Sequence, residues 1–173
     1  MTSRETILQL KDDRFAFKTL LKHFISSEKA IKEIVILATT KDDYPVQEHS
    51  SWLLMHVLDH KKESVSAYQH KIIDAFCDSQ NQSVLRNLCN IMYKLPIIDY
   101  REGELLELLI SHFKNLNNKV ALHVYCLYKL KQFELKYPEI APEINQLIAL
   151  KEENDLPPSL KVAIRKYRTG KID

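Results

Sequence analysis

The amino-acid sequence predicts an all-α fold, a right-handed α-α superhelix of stacked helix pairs, and three observations carry that expectation. Apolar residues recur at helical spacing along most of the chain. Only two glycines occur in 173 residues, too few for architectures that depend on many tight turns or on phosphate-cradling loops. Tyr93-Lys94-Leu95 recurs thirty-five residues later as Tyr128-Lys129-Leu130, and the apolar positions ahead of it recur in step: Leu85 with Val120, Cys89 with Val124, Met92 with Leu127. A period of that size belongs to paired helices, in which one unit cannot bury its apolar face alone and its neighbours supply the other wall.

Taken in order, Thr2 with Glu5 has the spacing of a capping box and starts a short helix. Asp12 and Asp13 separate it from a second, whose stripe is Phe15, Leu20, Leu21, Phe24 and Ile25. Ser26 and Ser27 cap a third, holding Ala30, Ile31, Ile34, Val35 and Leu37. Lys41 to Pro45 is a turn, with Pro45 near the first helical position, where its missing amide costs nothing. The helix from Val46 to about His60 is apolar on two sides: Leu53, Leu54, Val57 and Leu58 share one, Trp52 and Met55 fall roughly opposite. A helix of that kind is sandwiched between neighbours. Val65, Tyr68, Ile72 and Phe76 have the spacing of a partner helix. Further helices run from about Ser83 to Leu95, ended by Pro96, and from about Gly103 to Leu116. Asn117 or Asn118 caps a long one reaching Tyr137. Pro142 sits in the first turn of another, with Ile144, Leu147 and Ile148 inward, and Pro157 and Pro158 open the last, which Gly170 closes. There Leu160, Ile164 and Tyr167 fall where Leu85, Cys89 and Met92 fall earlier. The repeat units are expected at about 46–78, 82–116, 118–153 and 157–171, the last incomplete, after N-terminal helices at 3–40, all within one domain spanning 1–173.

Composition narrows function mainly by exclusion. A chain of 173 residues and 20.3 kDa buries roughly 70% of its unfolded surface without a staple. With 45% hydrophobic and 28% charged residues and a formal charge of +2, nothing global demands a nucleic acid or an acidic membrane as partner. Cys77, Cys89 and Cys126 are odd in number, far apart and set in helical patterns, which indicates core thiols of a reducing compartment rather than disulfides or a metal knot. No run approaches the roughly 18 apolar residues that span a bilayer, and the N-terminus lacks a secretory apolar core. The expected location is cytoplasmic, with no cofactor.

The run SSWLLMHVLDH from Ser50, NKVALHVYCLYKL from Asn118, YPEIAPEINQLI from Tyr137 and PPSLKVAIRKY from Pro157 resemble HEAT/ARM-like helical repeats. More closely, the pattern is similar to a group of short bacterial chains often labelled adenylosuccinate lyase. The repeat resemblance implies a binding scaffold. The lyase label implies an enzyme with a mobile serine loop and histidine acid/base partners; no stretch here matches that loop, so no catalytic residue carries over.

Four features are candidates for function. His49, His56 and His60 share a helical face within about 40° at 100° per residue, and His56 with His60 at i, i+4 has the spacing that lets two imidazoles reach one metal, although no third ligand is identifiable. The alternative to a metal site is an ordinary packed or solvated stripe. Trp52 and Asp59, two turns apart, resemble the aromatic and carboxylate pair with which HEAT-like DNA alkylation-repair glycosylases stack and stabilise a cationic base; the plainer reading is a tryptophan plugging the seam between repeats. Lys161, Arg165, Lys166, Arg168 and Lys171 form a basic C-terminus suited to phosphate backbones, unless Glu152, Glu153 and Asp155 neutralise it. Tyr93, Tyr125, Tyr128, Phe133 and Tyr137 either pack the core or line a groove. The sequence therefore points to a non-catalytic scaffold for a protein or peptide partner, with Trp52, His56, Asp59 and Tyr93 as its binding candidates. The alternatives are nucleic-acid binding or an alkylation-repair-like glycosylase on a HEAT-like fold, and adenylosuccinate lyase as the label has it.

Overall fold

A computed structural model describes residues 3–8, 14–41 and 45–172. The described residues form helices and no strand: α1 (Ser3–Leu8), α2 (Arg14–Phe24), α3 (Glu28–Thr39), α4 (Val46–His60), α5 (Lys62–Ser66), α6 (Gln69–Asp78), α7 (Gln82–Tyr93), α8 (Glu102–Lys114), α9 (Val120–Lys136), a 3-10 turn at Pro138–Ile140, α10 (Ala141–Glu152) and α11 (Pro158–Thr169). The chain divides into two compact units, Met1–Leu95 and Pro96–Asp173. The expected capping box at Thr2, the aspartates 12 and 13 and the side chain of Phe15 lie outside the described residues.

In the first unit α3 packs on α4, α6 on α7, and α3 on α6. The relation between α4 and α7 follows from their bonds. Asn87 Nδ2 donates to Glu48 O (3.2 Å) and Ser51 Oγ (3.0 Å), and seven residues later Lys94 Nζ reaches Asp59 (2.7 Å). Both partners advance together, so α4 and α7 run parallel, as equivalent helices of successive repeats must. Phe24, Ile31, Ile34, Leu53, Leu54, Val57, Ile72, Phe76, Leu88 and Ile91 are fully buried in this unit. α1 and α2 pack on the remaining side of α4, where His49 Nδ1–H donates to Ile7 O (3.2 Å).

In the second unit α8 and α9 are antiparallel and fastened at both ends. Glu102, opening α8, accepts from Lys136 Nζ (2.6 Å) and the Tyr137 hydroxyl (2.7 Å) at the close of α9. At the other end Asn118 Nδ2 donates to His112 O (3.0 Å). α11 packs on α9; the Tyr167 hydroxyl donates to Glu134, while Lys131 Nζ bonds the same carboxylate (2.6 Å) and lies over the Tyr167 ring, 4.7 Å from its centroid.

Several local expectations need correction. Ser27 does cap α3, accepting from Ala30 N (3.2 Å), but Ser26 instead donates to His23 O. The single helix expected through Val65, Tyr68, Ile72 and Phe76 is two: Tyr68 leaves the helical region (φ −111°, ψ 17°) while Gln69 Nε2 turns back to Ser66 Oγ (3.0 Å). Neither Asn117 nor Asn118 caps α9, whose N-cap is Lys119 with no side-chain bond; Asn118 serves the end of α8 instead. The two Tyr-Lys-Leu copies differ in setting. In the first, the helix ends at Tyr93 and Lys94 is a half-exposed ion-pair partner; in the second, the helix runs on to Lys136 and Lys129 is buried, donating to Gln132 (2.8 Å). Leu85 and Cys89 are buried whereas Val120 and Val124 are half-buried, so the period holds at Met92/Leu127 and Leu95/Leu130 but not across the whole helix. Leu160, Ile164 and Tyr167 are buried as their counterparts are.

Candidate functional site

The face that gathers the sequence-expected residues lies in the first unit, on α4 and α7. α4 is held on one side by α3 and on another by α7, and α1 and α2 cover part of the side opposite Val57 and Leu54. Trp52, Met55 and His56 of α4 and Tyr93 at the end of α7 are half-buried rather than sealed. Phe17 of α2 completes a three-ring cluster: its centroid is 5.0 Å from both Trp52 and His56, and Trp52 and His56 meet edge-on at 5.0 Å and 77°. Edge-to-face contact of this kind stabilises by about 1 kcal/mol beyond burial. Burial holds the His56 imidazole below its ordinary value, against the opposing pull of the Asp59 carboxylate, with Lys94 and His60 adding to the depression.

Asp59, one turn on, is bonded to Lys94 (2.7 Å), both partly exposed, and such a surface pair contributes little to stability. Its carboxylate faces a lysine while Trp52 faces Phe17 and His56, so the two have separate partners. The histidine trio likewise disperses: His49 binds the Ile7 carbonyl, His56 joins the ring cluster and His60 is exposed. Among the described residues no group of three or more His, Cys, Asp or Glu side chains is placed to hold a metal ion.

In the second unit two of the five cations of the basic patch carry carboxylate partners. Arg168 makes a two-bond pair with Glu152 (2.8 and 2.6 Å), which lowers the carboxyl below its ordinary value, and Lys161 pairs with Asp155 (3.0 Å). Arg165 is exposed and Lys166 half-buried. Of the aromatic row, Phe133 is fully buried and Tyr137 is bonded to Glu102, while Tyr125 and Tyr128 are half-buried.

Sequence reasoning missed Phe17 and Lys94, although Phe17 is a large apolar residue in a helical stretch and Lys94 belongs to the repeated tripeptide. It also missed a cleft of about 360 Å³ in the first unit, where Thr39, Gln47, Glu48, Asp74, Asp78 and Asn81 line the space between the ends of α3 and α6 and the starts of α4 and α7. Four separate segments build that cleft, and no motif announces it.

Comparison with protein families decides the relationship: the model of the HEAT repeat domain matches residues 12–170. The chain belongs to the HEAT repeat domain family. No curated protein and no solved structure gives a match. This HEAT repeat protein is thus a chain of helical repeats. None of its described helices is long and apolar enough to cross a membrane.

Proposed function

We propose that this HEAT repeat chain is a non-catalytic scaffold that takes a protein or peptide partner on the α4/α7 face, with Trp52, His56 and Tyr93 as its apolar contacts and the Asp59–Lys94 pair at its border. One observation carries the reading: the chain's sole tryptophan is half-buried in a cluster with Phe17 and His56, whereas Leu53, Leu54, Val57 and Leu58 of the same helix are buried. A large ring kept at the surface of a scaffold is what a contact hot spot requires. Repeat folds supply the extended surface around it.

The test compares wild type with Trp52→Ala for thermal stability and for retention of the protein that co-purifies with the tagged chain. The reading expects the partner to be lost while the variant still melts cooperatively within a few degrees of wild type. A variant that unfolds shows Trp52 to be part of the core, and a stable variant that keeps its partner shows that binding occurs elsewhere.

A further inference from the structure

In the second unit the ends of α8 and α10 and the first turns of α9 meet around the ring of Phe113. His123 lies against the ring at 6.1 Å between centroids, and Lys151 Nζ is 5.0 Å from its centroid. Each is only 5% exposed. His123 Nε2–H donates to Asn115 O (2.9 Å), and no described carboxylate forms an ion pair with His123 or Lys151. His112, beside Phe113, is half-buried, with Asn118 Nδ2 at 3.4 Å from its Nδ1.

The surrounding charges do not supply a counter-ion. On α8, Glu102 is bonded to Lys136 and Glu104 to Arg101, and Glu107 is exposed. On α9, Glu134 is taken by Lys131 and Tyr167, and the Cys126 thiol is buried. On α10, Glu152 is bonded to Arg168, and Glu143 and the C-cap Glu153 are exposed; Asp155 beyond it is bonded to Lys161, and Glu139 of the 3-10 turn is exposed too. α11 carries only cations: Lys161, Arg165, Lys166 and Arg168. Lys114 and Lys119, at the adjoining helix ends, are exposed cations as well. A second buried positive charge beside Lys151 would therefore lack both water and a carboxylate.

We propose that His123, Lys151 and Phe113 form an acid-responsive latch: uptake of a proton by His123 beside the Lys151 ammonium loosens the junction of α8, α9 and α10 while the helices of the first unit stay folded. The electrostatics run the same way. Burial pushes the His123 imidazole below its ordinary 6.5, with Lys151 and His112 adding to the depression against the Asn115 carbonyl; burial lowers His112 and Lys151 likewise. In the first unit, by contrast, the charge of Asp59 opposes the depression of His56. A histidine whose folded value is depressed contributes stability that is present above 6.5 and lost as pH falls toward and through the folded value.

The test follows the imidazole resonances and amide hydrogen exchange of the full chain from neutral pH to about pH 5, in wild type, Lys151→Met and His123→Gln. His123 should titrate below 6.5, and Lys151→Met should raise its midpoint and raise Tm at neutral pH. Protection across 105–133, corrected for intrinsic exchange, should fall about threefold or more on acidification in wild type and distinctly less in either variant. If His123→Gln does not fold, Lys151→Met alone decides. An ordinary His123 midpoint, a midpoint unmoved by Lys151→Met, protection of 105–133 that survives acid, or equal loss of protection in both units would each overturn the latch.

Discussion

Asn87 shows how one polar residue can fix the register of two repeats. Its amide nitrogen bonds both Glu48 O and Ser51 Oγ while its oxygen accepts from Arg86, and it is wholly buried. Asn87→Ala should cost about 1–3 kcal/mol, because it strands buried partners as well as removing bonds; denaturant unfolding measures this, and an unchanged midpoint would show that water replaces the amide. Tyr167→Phe is the milder counterpart in the second unit. It removes the bond to Glu134, leaves the ring and its Lys131 contact in place, and should cost about 1 kcal/mol by the same measurement. Burial and the Glu134 carboxylate both push the Tyr167 phenol far above its ordinary value, so it stays neutral and donating throughout the usual pH range. Little of this is legible from sequence. Asn87 and Lys151 look like surface residues of amphipathic helices, and only contacts thirty-six residues away, or with a neighbouring helix, reveal that they are buried. Trp52 was readable as unusual because it falls opposite the leucine stripe; its neighbour Phe17 and the Lys94 partner of Asp59 were not, since nothing local links residues so far apart.

At the scale of elements the sequence is a better guide, because caps and breaks are local. Pro158 opens α11 and Gly170 ends it in the left-handed region at φ 67°, as their places in the sequence predict. Gly170→Ala should therefore destabilise by about 1 kcal/mol through backbone strain alone, since a Cβ there meets nothing within 4 Å. Ser27→Ala should cost about as much by releasing the Ala30 amide. Thermal melts of the two variants check both, and a loss of several kcal/mol at Gly170 would point to packing rather than strain. Where the sequence misleads, the cause is tertiary. No proline or glycine marks the break at Tyr68, which a Ser66–Gln69 bond accommodates. The repeated Tyr-Lys-Leu marks helices of one kind but does not fix where each of them ends. Pro96 lets α7 close at the first copy, whereas seven further residues follow the second copy before Pro138, and α9 carries that copy inside it.

For the whole molecule, the family match across residues 12–170 and the helical repertoire of both units agree with the all-α reading. Each unit is internally bolted by polar contacts between helix ends and seams, Asn87 in one and Glu102 with Asn118 in the other, so neither depends on a disulfide; the three cysteines are free thiols. The paired state of Lys161 and Arg168 bears on nucleic acid as a partner. Retention on a DNA duplex at low salt should be weakened, with a shallower salt dependence, because two of the five cations of the C-terminal patch already carry carboxylate partners. The scaffold reading is decided most directly by the fluorescence of Trp52 as the co-purifying partner is titrated into the full chain. A saturable change in emission that disappears when α4 and α7 are altered by His56→Ala with Tyr93→Ala, in a variant that still melts cooperatively, is the predicted result. Saturable binding, followed independently by mass in solution, with no change at Trp52 would contradict it.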